Sequence, residues 1–178
     1  GPNDDVRALF GWYFSGDREI PVPGGPVLKL RQESAEVFQE STARLGALVT
    51  GRRDFDVSNA WGGKSPTGVP IFIVTHSAPP AWSGPDSPFT FVTDGVASAL
   101  DKARQVAGDK DIGVSGSTIV QQCLQAGFLD EIQIHLAPVL LGAGIRLFDH
   151  LGPEPRPLEV LRVVTTPDVT HLAYRVIK

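Results

Sequence analysis

Val114-Ser115-Gly116-Ser117-Thr118 lies between a short apolar run, Asp111–Val114, and a helical pattern, Ile119–Ala126. A strand that turns through Gly and Ser into a helix start leaves backbone N–H groups and hydroxyls free where the helix dipole is positive. That arrangement suits a phosphate, and hence a nucleotide. The same residues also serve as an ordinary strand-to-helix turn, because Ser and Thr cap helices whether or not an anion is bound.

Working outward, helical and strand periods alternate. A helix is expected over Gln32–Arg44, with Val37, Phe38, Ser41 and Leu45 near one face. A buried strand follows over Gly46–Thr50 and opens into Gly51-Arg52-Arg53. A second runs over Val69–Val74 to Thr75-His76, and a third over Phe89–Val92. Thr93-Asp94 offers a cap for a helix over Val96–Ala107 that buries Val96, Leu100, Ala103 and Val106, with Gly108 as its stop. Then come strand Ile112–Val114, helix Ser117–Ala126, a Gly127 stop and strand Glu131–Leu136. This rhythm predicts an α/β fold with a mixed, mostly parallel sheet and helices on both faces. Two alternating runs, Leu158–Thr165 and Thr170–Ile177, predict a C-terminal antiparallel hairpin. The first 30 residues, dense in Gly and Pro, read as a long loop with one helical turn, and Asp54–Pro70 reads as a mobile surface connection.

Composition excludes several classes. With 178 residues, 42% hydrophobic and 20% charged, the chain can bury one core, so a single domain over 1–178 is expected. Sixteen Lys and Arg against 20 Asp and Glu leave a net charge of −4, without the basic footprint of a nucleic-acid partner. No apolar run reaches the roughly 20 residues that span a bilayer, so no membrane partner is expected. The lone Cys123 forms no internal disulfide and reads as a buried packing thiol. A cytoplasmic location fits, and the sequence suggests no metal site.

Three strand ends and one late motif, taken together, resemble a known family. Thr50-Gly51-Arg52-Arg53, Val74-Thr75-His76, Ser115-Gly116-Ser117, and Leu129-Asp130-Glu131 running into Pro138-Val139-Leu140-Leu141-Gly142-Ala143-Gly144 with Leu147-Phe148 are similar in order to the dihydrofolate-reductase-like family. Within it the likeness is to the C-terminal reductase domain of the bifunctional riboflavin-biosynthesis enzyme and its stand-alone relatives. The resemblance implies a three-layer dihydrofolate-reductase-like fold and NADPH-dependent reduction of a small heteroaromatic substrate, pteridine-like or a pyrimidine riboflavin precursor. An accessory protein of the same fold that binds nucleotide or flavin without turnover is the alternative. A homodimer through the C-terminal hairpin is also implied, with Leu158, Val160, Leu161, Val163 and Val164 at the contact.

The resemblance carries roles motif by motif. Gly51, Arg52 and Arg53 match the segment that approaches the cofactor phosphates, where a guanidinium binds phosphate bidentately. Thr75 and His76 match the strand end that meets the adenosine 2′-phosphate. Gly116, Ser117 and Thr118 match the Gly-Gly turn that cradles the diphosphate, with Ile119 just inside the helix. Ser115 stands where the first Gly is usual, and its hydroxyl is expected to restore a hydrogen bond to phosphate. Asp54 replaces a frequent Thr and is expected to need Arg52 or Arg53 to neutralise it.

Relatives open with a strand and a Ser-Leu-Asp-Gly-like turn, whereas this sequence opens at Gly1-Pro2-Asn3-Asp4, as if that strand were absent. Without it the sheet would lose a central member unless another segment fills in. No catalytic acid stands out. Glu33 and Glu36, at the start of the first long helix, are either the proton donor or acids favoured by the helix dipole. Trp12, Tyr13, Phe14 and Trp61 either wall an aromatic substrate or pack as core. His135 reads as a structural or interface residue facing away from the core.

Overall fold

The computed structural model describes residues 7–23 and 25–178; the opening Gly1-Pro2-Asn3-Asp4 lies outside them. A helical turn, Gly11–Phe14, leads into strands β1 (Arg18–Pro21) and β2 (Val27–Leu30), followed by helix α1 (Gln32–Arg44). Next come β3 (Leu45–Gly51), a short helix α2 (Arg52–Val57), β4 (Ile71–Val74), β5 (Phe89–Val92) and α3 (Val96–Ala107). The chain closes with β6 (Asp111–Val114), α4 (Ser117–Gln125), β7 (Glu131–Leu136), β8 (Leu158–Thr165) and β9 (Thr170–Val176).

Strands β5-β4-β3-β6 form a parallel sheet, in that order. Because side chains alternate across a strand, Ala47 and Val49 of β3 face α3 and α4, packing with Phe72, Leu100, Ala103 and Ile119. The opposite face packs Ile71, Ile73 and Phe89 against Phe55 and Ala60. The C-terminal hairpin β8–β9 forms as expected, and β7 joins it in an antiparallel sheet of order β7-β9-β8. Among the described residues no ladder connects that sheet to the parallel one. The fold is thus mixed α/β, with a parallel four-stranded sheet flanked by helices and an antiparallel C-terminal sheet.

The structure corrects two loop readings. Residues 18–30 are not irregular: β1 and β2 pair antiparallel and send Ile20, Leu28 and Leu30 into a cluster with Trp12, Ala35 and Val169. Each strand has only four residues, too few for alternation to outweigh the surrounding Pro and Gly. Asp54–Pro70 is not wholly an open surface connection either. α2 buries Phe55, Ala60 is 4% exposed, and Phe55 meets Trp61 and Phe89 edge-on or nearly so. In α3, Ala107 lies almost directly below Leu100 at 3.6 residues per turn and is buried, so Val106 is turned outward and is 52% exposed. Thr93 and Asp94 make no cap to the α3 backbone; Asp94 accepts instead from the Ser98 hydroxyl at 2.9 Å.

Candidate functional site

In the parallel sheet the chain moves from β3 to β4 and β5 on one side, then returns to place β6 on the other side of β3. The loops leaving the C-terminal ends of β3 and β6 therefore diverge. A crevice opens at such a reversal, and ligands of open α/β sheets bind there. Here it is a cleft of about 690 Å³. Gly51, Arg52, Arg53, Thr75 and His76 line it from one side, and Gly116, Ser117, Thr118 and Ile119 from the other. Nine of the ten residues singled out from the sequence thus border one space.

The floor is built by long-range packing. Gly116 links β6 to α4 with φ +82°, a left-handed conformation that glycine adopts without strain. The first helical hydrogen bonds are Ile119 N–H and Val120 N–H to the Gly116 carbonyl, at 3.0 Å each. The amides of Ser117 and Thr118 precede those bonds, so they are free to meet a ligand where the helix dipole is positive. On the facing bank, a Cβ at Gly51 would stand 3.2 Å from the Ile119 side chain, so glycine there lets β3 and α4 approach.

Ser115, the tenth residue, lies beneath this surface. Its hydroxyl sits 2.9 Å from Asp54 Oδ2 and 2.9 Å from Thr50 Oγ1, while the fully buried Thr50 donates to the same carboxylate oxygen at 2.7 Å. The expectation that Ser115 would bond phosphate is corrected here. One oxygen of the carboxylate, Oδ2, meets both hydroxyls and ties the end of β3 to the end of β6. Arg52 is committed elsewhere: its Nε pairs with Asp56 at 2.8 Å and its Nη1 donates to the Ser77 carbonyl at 3.0 Å. Arg53 is exposed and makes no ion pair among the described residues. Thr75 donates to the Ser77 carbonyl at 2.9 Å, shaping the turn on which His76 is exposed.

Sequence reasoning missed further lining residues, among them Thr93, Gln122 and Ile145. Ile145 comes from the late Gly-rich motif, which Gln121 of α4 holds through the Arg146 and Leu147 carbonyls at 3.1 Å. The candidates for substrate chemistry do not join the cleft. Glu33 borders a separate groove with Arg31 and Asp17, and Glu36 accepts from Gln32 at 2.6 Å on an exposed face of α1. Trp12 is 5% exposed in its own cluster, Tyr13 packs beside it, Phe14 is 55% exposed, and Trp61 packs on Phe55.

His135 is not an isolated surface residue. Its Nδ1 shares a hydrogen bond of 2.8 Å with Nδ1 of His171, which is buried and reaches the Ser34 hydroxyl at 2.8 Å. Trp12 packs against both rings. Desolvation, with smaller contributions from His135 and Arg162, pushes His171 down to about 4. Burial likewise pushes the Cys123 thiol up to about 11, in keeping with a packing role.

A family model of the RibD C-terminal domain matches residues 30–172. No curated protein matches the chain. Among solved structures, a protein described as belonging to riboflavin biosynthesis, from Shewanella sp. PV-4, superposes with a TM-score of 0.67 at 21% identity, over 79% of each chain. A pyrimidine reductase-like protein from Corynebacterium diphtheriae gives a TM-score of 0.63 at 15% identity, over 87% of this chain and 83% of that one. A Thermotoga maritima diaminohydroxyphosphoribosylaminopyrimidine deaminase/5-amino-6-(5-phosphoribosylamino)uracil reductase gives 0.55 at 13% identity, over 79% of this chain and 48% of that bifunctional protein. At these identities the likeness establishes the fold.

Proposed function

The chain belongs to the RibD C-terminal domain family, and we propose that it is an NADPH-dependent reductase of a small pyrimidine-like or pteridine-like heteroaromatic compound. The observation that carries this reading is the convergence of β3, β4 and β6 ends on the switch-point cleft, with the free amides of Ser117 and Thr118 beside Gly116. The residues fit a dinucleotide. Two amides and two hydroxyls at the start of α4 suit a diphosphate, and Arg53 is an available cation at the rim. Asp54 also borders the cleft, and its Oδ2 is turned into the Thr50 and Ser115 hydroxyls; its charge remains, and Arg53 is the cation placed to offset it.

When bound, NADPH would supply the hydride. The protein's part is to hold the phosphates at the start of α4 and align the coenzyme with its substrate, which is most of what hydride transfer requires of a protein. Calorimetric titration with NADPH and, separately, NADH tests the proposal. Tight binding selective for NADPH is expected; a folded chain that binds neither removes it. Because Glu33 and Glu36 both lie off the cleft, a second reading is nucleotide binding without turnover. It gains if NADPH binds but is not oxidised with any pyrimidine or pteridine offered.

Arg53→Ala is expected to weaken NADPH by about 1.5–3 kcal/mol, the range for a hydrogen bond to a charged group. Arg52→Ala should cost less, because Asp56 already holds that guanidinium. A larger loss for NADPH than for NADH places the arginine at the 2′-phosphate, and equal losses place it at the diphosphate. Full affinity in Arg53→Ala removes it from the site.

The homodimer is proposed on β8. This strand is an outer edge of its sheet and exposes Val160 at 61% and Val163 at 54%. Val160→Lys with Val163→Lys should convert a dimer to monomer in sedimentation. An unchanged sedimentation coefficient refutes this surface. No helix is long and apolar enough to cross a membrane among the described residues, and a cytoplasmic location is part of the same proposal.

A further inference from the structure

The two residues that depart from the reductase pattern at this cleft, Asp54 and Ser115, meet each other. They lie 61 residues apart in sequence, one in α2 and one in the turn from β6 to α4. Ser115 is pinned from two sides. Its N–H donates to the Val49 carbonyl at 3.0 Å, which holds the end of β6 against β3. Its hydroxyl lies 2.9 Å from Asp54 Oδ2, and the Thr50 hydroxyl donates to the same oxygen at 2.7 Å. An ionised carboxylate only accepts, so both hydroxyls can donate to it, and such charge-assisted bonds are roughly twice as strong as neutral ones. Thr50 is fully buried, so its hydroxyl needs an acceptor within the protein.

This link lies directly under the turn that faces the cleft. A Cβ built on Gly116 would stand 3.7 Å from Thr50 Oγ1 and 3.9 Å from Asp54 Cβ, so the turn lies against these two side chains. The Gly116 carbonyl accepts from Ile119 N–H and Val120 N–H at 3.0 Å each and begins α4. Ser117 and Thr118 stand between, and holding Ser115 on their N-terminal side fixes the direction of their free amides. Arg53 directly precedes Asp54 in α2. The same link therefore sets the spacing between the cationic bank and the amide bank.

Asp54 also brings a charge to the place where an anion is to be held. Its Oδ1 has no hydrogen-bond partner among the described residues, and the residue borders the cleft with Gly116 and Ser117. The carboxylate thus orders the turn and repels the ligand that the turn receives. These effects have opposite signs, and two substitutions separate them. Asparagine keeps an oxygen for both hydroxyls without the charge, whereas alanine removes oxygen and charge together.

We propose, on the nucleotide reading of this cleft, that Asp54 is a positioning residue for the diphosphate of the bound dinucleotide. Through Thr50 and Ser115 it holds the β6–α4 turn in its binding geometry, while its own charge weakens the binding that the geometry permits.

The test titrates the unaltered chain, Asp54→Asn, Asp54→Ala and Ser115→Ala with NADPH and with NADH by calorimetry, and follows urea unfolding of each. Asp54→Asn should bind both dinucleotides roughly threefold more tightly at low ionic strength, the gain shrinking as salt is added. Asp54→Ala should bind both roughly tenfold more weakly although it carries no opposing charge, because the hydrogen-bonded link is gone. Ser115→Ala should also weaken both, and the double variant should lose less than the sum of the two, since both break one link. The diphosphate is common to NADPH and NADH, so the losses should be equal for the two. Asparagine and alanine moving affinity in the same direction would overturn the proposal. So would a lowered urea midpoint in Asp54→Ala with unchanged affinity, or a loss confined to NADPH. These results leave the nucleotide reading standing, whereas an unaltered chain that binds neither dinucleotide overturns that reading and the proposal together.

Discussion

Gly116→Val is expected to lower NADPH affinity by more than about a hundredfold, or roughly 2.7 kcal/mol, while the chain still folds. Space is not the main obstacle: a Cβ at Gly116 would stand 3.7 Å from Gly51 N and from Thr50 Oγ1, ordinary contact distances. The obstacle is φ +82°. A β-branched residue is an outlier in that region, and holding it there costs on the order of 1–3 kcal/mol. The turn between β6 and α4 relaxes by rotating its peptide planes, which turns the Ser117 and Thr118 amides away from the cleft. Calorimetry gives the affinity, and urea unfolding shows whether the fold survives. Undiminished binding in a folded Gly116→Val protein would sink the assignment of this turn to phosphate.

Acidification should destabilise the fold through His171. In the unfolded chain its imidazole titrates near the ordinary 6.5, whereas burial holds it near 4 in the native state. Above about pH 7 both states are neutral and the full stability is present. As pH falls from 6.5 towards 4, only the unfolded chain takes up the proton, so stability is lost across that window. At pH 5 the loss is about 2 kcal/mol, since one pKa unit corresponds to about 1.36 kcal/mol. His135, also held below its usual value by desolvation, acts in the same direction. Urea midpoints at pH 7.5 and pH 5, compared with those of His171→Gln, isolate the effect. The variant should be less stable at pH 7.5 and flatter with pH; an equal slope in both proteins would refute it.

Much of the candidate site was legible in the sequence for a local reason. Gly51, Thr75 and Gly116 each follow an apolar run, so the pattern that predicts a strand also marks its C-terminal end. In a parallel sheet those ends necessarily lie on one side. Asp54 was legible only as an oddity. It stands four residues after Thr50 and 61 before Ser115, and only folding shows that the three meet. Glu33 and Glu36 read as acids near a helix start, and nothing local revealed that this end of α1 faces a different groove.

By itself, the sequence determined the succession of β3 to β7 with their helices. The periods of 2 and 3.6, and glycine stops such as Gly108 and Gly127, act within a few residues and need no distant partner. Tertiary structure decided the rest. The β1–β2 hairpin is held by Trp12 and Val169, which are far apart in sequence. The buried His171 meets Ser34 from 137 residues away. The division of the strands into separate sheets depends on which edges find partners. Burial and hydrogen-bond satisfaction are properties of the assembled chain, so residues whose local signal is weak or polar take their roles only once distant segments enclose them.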